Sequence, residues 1–285
     1  MTPQEASGPP PGSGQDPQIR EMGALLEAVY DRSGVDFRDY AHSSLRRRID
    51  RCVAEENVAA IPDLHQRVLD DDACLHRVIL RLTLPVTSMF RDPQFFRQFR
   101  ERAAPMLRTH PFLRVWVAGC STGQELWSLA ILLHEEGLYE RARIYATDLH
   151  PAVLARAQEG VYPLSLMQDY TRNYQAAGGR GEFSTYYTAD ADAVVMRSLL
   201  RSNIVFGVHN LVSDGSFNEF QVIFCRNVMI YFNRSLQRRV HTLLYESLAP
   251  FGYMGLGRSE SVRFSPHEEH YEAICPRERL YRKIG

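Results

Sequence analysis

Lysine is nearly absent from this chain: of 33 basic side chains only Lys283 is a lysine, and coding bias accounts for that preference for arginine. Net charge is also missing. With a formal charge of -1 over 285 residues, no global field draws the chain to nucleic acid or to anionic lipid. The five cysteines, Cys52, Cys74, Cys120, Cys225 and Cys275, are odd in number and include no pair at metal-ligand spacing, so no metal is expected. They read as reduced thiols, as in a cytoplasmic protein, and Cys120 and Cys225 end apolar runs where a thiol packs as a small hydrophobe. There is no signal-peptide pattern and no apolar run long enough to span a bilayer, which argues against direct membrane insertion. Internal repeats are lacking too, as are a Ser-His-Asp set and paired catalytic carboxylates.

What is present is an ordinary globular composition, 45% hydrophobic and 24% charged, long enough for one large domain or two modest ones. Residues 1–17, rich in Pro, Gly and Ser, predict a disordered tail. Residues 18–84 carry only helical periodicity. Ile19, Met22, Leu25, Leu26 and Val29 share one face, and Ser43 or Ser44 is placed to cap a helix burying Leu45, Ile49, Cys52 and Val53. Ile61-Pro62-Asp63 opens a third helix with Leu64, Val68 and Leu69 inward, and a fourth spans about 72–82. Residues 85–113 form a linker and a connecting helix. From 114 to 285, strands at 115–118, 143–147, 220–225 and 253–257 alternate with helices at 126–134, 151–159 and 235–248, and the short runs 271–274 and 280–284 form an antiparallel closing pair. Such alternation implies an α/β domain, a mostly parallel sheet with helices on both faces. Residues 161–205 interrupt it and read as an inserted subdomain of short strands.

The stretch "VWVAGCSTGQE", Val115 to Glu125, is a buried strand ending in small residues. In an open parallel sheet, ligands sit at such carboxyl ends, near the free N–H groups of the next helix. A dinucleotide turn needs a third glycine, absent here, and Glu125 places a negative charge where a pyrophosphate needs the opposite. A cationic guest fits better, and S-adenosylmethionine, with its ammonium and sulfonium, is one. Asp148, ending "RIYATD", is placed to accept ribose hydroxyls. The glycine turn alone is a weak signal, with plain tight packing around Gly119 and Gly123 as the lesser alternative.

Five segments in order, "VTSMFRDPQFF", "VWVAGCSTGQELWSLAI", "YATDLHPAVLARAQEGVY", "HNLV" and "FCRNVMIYF", resemble the CheR family of chemotaxis-receptor glutamate methyltransferases. The resemblance implies a class I S-adenosylmethionine-dependent methyltransferase domain, a small N-terminal all-helical domain and an inserted antiparallel β-subdomain. It also implies transfer of a methyl group from S-adenosylmethionine to a receptor glutamate γ-carboxylate, giving a methyl ester and S-adenosylhomocysteine. By motif, Thr87 and Arg91 are similar to the family's cofactor contacts, and Arg91 to the group that fixes the acceptor carboxylate. Glu125 and Asp148 resemble its acidic cofactor ligands. Asn210 and Leu211, and Arg226 and Asn227, resemble residues lining the adenine and the methionine part, and Tyr231 a tyrosine near the transferring methyl. The plainer alternatives are a surface arginine starting a helix for Arg91 and a core aromatic for Tyr231.

Pro85 stands where the family usually has an asparagine, so one cofactor hydrogen bond is expected to be missing, at a cost of about 0.5–1.5 kcal/mol, or roughly tenfold at most. Leu126-Trp127 is a smaller departure, Trp127 filling the space of a usual tyrosine. Arg46, Arg47, Arg48 and Arg51 crowd one helix of a domain whose overall charge Asp70-Asp71-Asp72 offsets. With Arg47 and Arg51 outward and the self-repulsion unrelieved, the resemblance implies a dock for acidic receptor helices, and a solvated helix face is the alternative. The Gly178–Gly181 run reads as a plain loop, although an edge there could accept an extended peptide. A monomer is expected. Two rival readings remain: a CheR-like docking scaffold with weak or no catalysis, and a small-molecule methyltransferase.

Overall fold

The computed structural model describes residues 17–83, 87–263 and 265–285. Pro85, and with it the expected loss of a cofactor hydrogen bond, lies outside the described residues. The chain divides into two compact units, Met1–Thr83 and Leu84–Gly285.

The first unit is four helices: α1 (Pro17–Ser33), α2 (His42–Glu55), α3 (Ile61–Asp70) and α4 (Asp72–Thr83). Helical spacing buries Leu25, Val29, Ile49, Leu64 and Val68 completely. Asp63 accepts the Ala60 N–H at 3.0 Å, closing the start of α3 beside Pro62. One expectation fails: Leu69 is 40% exposed, because it lies about 100° around α3 from the buried Val68. Helix α2 begins at His42 with Ala41 in the N-cap position, and the side chains of Ser43 and Ser44, the expected caps, lie outside the described residues.

The second unit opens with α5 (Pro93–Gln98), a π turn (Phe99–Ala103) and α6 (Ala104–Leu107). Then follow β1 (Leu113–Ala118), α7 (Gln124–Glu135), β2 (Ala142–Asp148), α8 (Pro151–Glu159), β3 (Val161–Pro163), α9 (Met167–Ala176), β4 (Tyr187–Asp190) and β5 (Ala193–Met196). The chain ends with β6 (Ile204–Val208), β7 (Phe220–Cys225), α10 (Arg234–Ser247), β8 (Leu248–Leu256), β9 (Tyr271–Cys275) and β10 (Leu280–Lys283). The main sheet has the order β6-β2-β1-β7-β8-β10-β9, and a separate sheet has the order β3-β5-β4. Strands β6, β2, β1, β7 and β8 are parallel, and β10 runs antiparallel to both β8 and β9. The apolar runs of β1 and β7 are buried on both faces, as a central parallel strand requires.

Three features go beyond the sequence reading. The insert expected over 161–205 gives way at Ile204 to β6, a strand the sequence did not reveal, which pairs with β2 from Ile144↔Ile204 to Asp148↔Val208 as an edge of the main sheet. Half-exposed, it lacks the continuous apolar signature of a central strand. The insert is not strands alone, since α9 buries Tyr170 and Tyr174 beside the small sheet. Strand β8 begins at Leu248 rather than Tyr253, because a register shift between Phe220 and Val222 and a left-handed Phe251 (φ +61°) carry it through the Pro250 segment.

Phe95, Phe96 and Phe99 lean edge-on against Phe224 of β7, with ring centroids 4.9, 6.2 and 5.1 Å away. Each such side chain contributes roughly 1.5–3 kcal/mol of burial, so the segment that precedes β1 is locked to the sheet. A buried ionic cluster ties the same segment to the insert. Arg100 reaches Glu136 at 3.0 Å and Glu135 at 2.5 Å, with side-chain exposures of 6, 0 and 4%. Arg108 and Arg180 also pair with Glu136. The Tyr174 and Tyr186 hydroxyls and the Arg180 N–H donate to Glu135. The Gly178–Gly181 run is therefore an anchored loop.

Candidate active site

Four parallel strands bring the candidate residues to one edge. Registers Ala118↔Thr147 and Asp148↔Val208 set the ends of β1, β2 and β6 side by side, and β7 lies against the other side of β1. Beyond β1 the chain turns through Gly119 (φ +71°), Ser121 (φ +51°) and Gly123 (φ +93°), with Gly123 at the N-cap of α7. These left-handed angles favour glycine. Protein atoms occupy the space its missing side chain leaves: a β-carbon would lie 2.6 Å from Val228 Cγ2 at Gly119, and 3.0 Å from Ala157 and from the Tyr162 hydroxyl at Gly123. Tight packing thus explains both glycines on their Cα side, and what the turn offers a guest is its N–H groups and the carboxylates around it.

Asp148 Oδ2 accepts the Ser121 N–H at 2.9 Å, and Oδ1 the His150 N–H at 3.3 Å. Burial raises its carboxyl above the usual range, against the pull of those backbone N–H groups. Burial likewise raises Glu125, in the first turn of α7, against the opposing charge and hydrogen bond of Arg226 and a smaller influence of Arg91. Arg226 joins three segments. Its guanidinium donates to Glu125 Oε2 at 2.7 Å, to Asp92 Oδ2 at 2.9 Å and to the Arg91 carbonyl at 3.2 Å, and lies 4.2 Å over the Phe95 ring. Only 1% of its side chain is exposed.

Of the residues singled out in the sequence, the structure links Arg91, Glu125 and Arg226 directly. Gly119 meets Val228 of the loop after β7, and Asp148 meets the turn after β1. Asn210 and Leu211 follow β6. The Asn210 side chain accepts the Val212 N–H at 2.9 Å, its main chain exchanges hydrogen bonds with Asp214, and Leu211 is buried. Asn227 is left-handed (φ +59°), and Tyr231 ends a short 3-10 turn at Met229–Tyr231, half-buried. Thr87 is half-buried four residues ahead of Arg91. Sequence reasoning missed Asp92, the second partner of Arg226. An aspartate directly before Pro93, the pattern of a helix start, was the available signal, and Asp92 is indeed the N-cap of α5. Sequence reasoning also missed Glu260, whose partners lie 30–33 positions away or across a turn, and nothing local marks it.

The residues fit S-adenosylmethionine. The Ser121 hydroxyl is buried without a hydrogen-bond partner in the turn. Asp148 and Glu125 are desolvated carboxylates whose charge a cation or a pair of hydroxyls would stabilise. Bound there, the cofactor supplies a methyl group already activated on sulfur. Among the described residues no group of three or more His, Cys, Asp or Glu could hold a metal ion.

Two family models match the chain: the CheR methyltransferase all-alpha domain over residues 20–83 and the CheR methyltransferase SAM-binding domain over residues 85–277. A Pseudomonas putida protein named Cher3 is 44% identical over 92% of this chain and 96% of its own. Chemotaxis protein methyltransferase 2 of Pseudomonas aeruginosa is 34% identical over 85% of this chain and 87% of its own. A chemotaxis protein methyltransferase of Listeria monocytogenes is 29% identical over 80 and 85%. Among solved structures, the S-adenosylhomocysteine complex of the N-methyltransferase NodS from Bradyrhizobium japonicum covers 68% of this chain and 70% of its own at 14% identity and a TM-score of 0.34, too distant to argue from. The sheet order, the carboxylate-lined strand edge and the two matched domains converge: this chain belongs to the CheR family of S-adenosylmethionine-dependent methyltransferases.

Proposed function

We propose that the chain methylates the γ-carboxylate of glutamates in the cytoplasmic helices of methyl-accepting chemotaxis receptors, releasing S-adenosylhomocysteine. The observation that carries this reading is the pair of half-buried, desolvated carboxylates, Glu125 and Asp148, at the edge of a CheR-family sheet. The acceptor is already ionised at neutral pH, so the residues need only place it and exclude water. Arg91 orients the acceptor carboxylate through its planar guanidinium, Tyr231 borders the transfer path, and Thr87 and Asn227 complete the cofactor's surround. Mass spectrometry of receptors incubated with the protein and labelled cofactor should find glutamate methyl esters, and Arg91→Ala should lower kcat/KM about 10²-fold. Native protein that leaves receptor glutamates unmodified would contradict the reading.

On this reading the receptor dock is α2. Arg46 pairs with Asp50 at 3.0 Å, Arg51 with Glu55 at 2.9 Å, and Arg48 donates to the Leu82 carbonyl, so the expected self-repulsion is largely relieved. Arg47 is exposed and makes no ion pair among the described residues, which makes it the primary contact for an acidic helix. Arg47→Glu should weaken receptor binding roughly fivefold at low salt, measured by titration; unchanged affinity would remove the dock. The protein acts as a monomer in the cytoplasm on this reading, and no helix among the described residues is long and apolar enough to cross a membrane.

A further inference from the structure

We infer that Glu260 is a positioning residue for methyl transfer: its carboxylate fixes the loop that presents Arg226, Asn227 and Tyr231. Glu260 lies in the turn after β8, outside every motif discussed above, and is 6% exposed. Its Oε2 accepts the Asn227 N–H at 2.8 Å and the Gly257 N–H at 2.6 Å. Its Oε1 accepts the Val228 N–H at 2.9 Å and the Ile230 N–H at 3.3 Å. The Glu260 N–H in turn donates to the Gly257 carbonyl at 2.9 Å. One side chain thus gathers the N–H groups of the turn after β7 and closes the turn after β8 on itself.

The need for this acceptor follows from the backbone. The left-handed Asn227 (φ +59°), followed by a right-handed Val228 (φ -108°, ψ -52°), aims successive N–H groups at one point, a concavity that calls for an anion. Buried without one, those donors would favour another loop conformation. Burial raises the Glu260 carboxyl, and the backbone N–H groups oppose that rise. The loop so held begins with Arg226, which braces Glu125, and its Val228 side chain seats the turn at Gly119. Glu260 therefore acts on the loop after β7 and, through Val228, on the turn after β1 by way of backbone N–H groups alone.

Glutamine is the informative replacement. It keeps the shape but turns one acceptor oxygen into an NH₂ facing two N–H donors. This inference rests on the cofactor-binding reading, so the test begins with calorimetric titration of S-adenosylhomocysteine into the native protein. Glu260→Gln is expected to raise its Kd about tenfold or more, while the receptor KM stays unchanged, and Glu260→Asp, which retains both oxygens, should recover part of the affinity. A variant with a lowered melting temperature but native affinity and kcat in its folded fraction would make Glu260 merely structural and overturn the inference. If Glu260→Gln does not fold, Glu260→Asp decides alone, since native affinity and kcat in it would overturn the proposal. Native protein that binds no S-adenosylhomocysteine would overturn the function itself, and this role with it.

Discussion

Glu136→Ala should lower the melting temperature by about 6–20 °C, the equivalent of about 3–5 kcal/mol in a domain of this size. The Glu136 side chain is 0% exposed and receives Arg100, Arg108 and Arg180. Arg108 and Arg180 are 43 and 57% exposed and would turn to water. Arg100, at 6%, would not, and would keep only Glu135 beside it. The loss therefore comes from an under-compensated buried guanidinium more than from the missing pairs themselves. Glu136→Gln, which still accepts hydrogen bonds, should fall between. Urea melts followed by circular dichroism measure both, and a change under about 1 kcal/mol in Glu136→Ala would mean that the cluster is hydrated and inconsequential.

Arg226→Met should be nearly as damaging to the site. Arg226 is the main influence holding the half-buried Glu125 toward its ionised form, and Asp92 loses its partner as well. Without the guanidinium the Glu125 carboxyl rises further, and the site loses both that counter-charge and part of the carboxylate's hold on an ammonium group. Affinity for S-adenosylhomocysteine should fall at least tenfold at neutral pH, an effect of about 1.4 kcal/mol, and recover partly as pH rises. In the native protein the acid-side fall lies at lower pH. Stability moves the other way. A carboxyl with a folded pKa above its unfolded value favours folding below the unfolded value and surrenders that contribution as pH rises through the folded one. The variant should therefore lose more stability than the native protein as pH rises through the raised range of Glu125. Superimposable binding profiles for the two proteins would show that Arg226 does not govern Glu125.

Local features carried much of this into the sequence. Pro151 at a first turn and the buried run Phe220–Cys225 placed α8 and β7 to the residue. The turn after β1 was legible because left-handed positions demand small residues, and Asp148 because it ends a strand in a βαβ unit. For the glycines, the alternative of tight packing has direct support. Their tight neighbours are Val228, Ala157 and Tyr162, contacts from 34 to more than 100 positions away that no local pattern announces. Other features depended on the same kind of long-range partnership: Glu260 with the loop after β7, Glu135 and Glu136 with Arg100, and β6 with β2. Strand β6 was hidden because an edge strand needs only half an apolar face, and the relief of the α2 stripe because Asp50 and Glu55 act at helical spacing from arginines read as a block.

The measurement that bears most directly on the paired carboxylates is calorimetric titration of S-adenosylhomocysteine into the native protein and into Asp148→Asn. The account predicts saturable one-to-one binding to the native chain and affinity at least tenfold weaker in the variant, since a charge-assisted hydrogen bond is worth about 1.5–3 kcal/mol. No binding to the native chain, or equal affinity in both proteins, would contradict it.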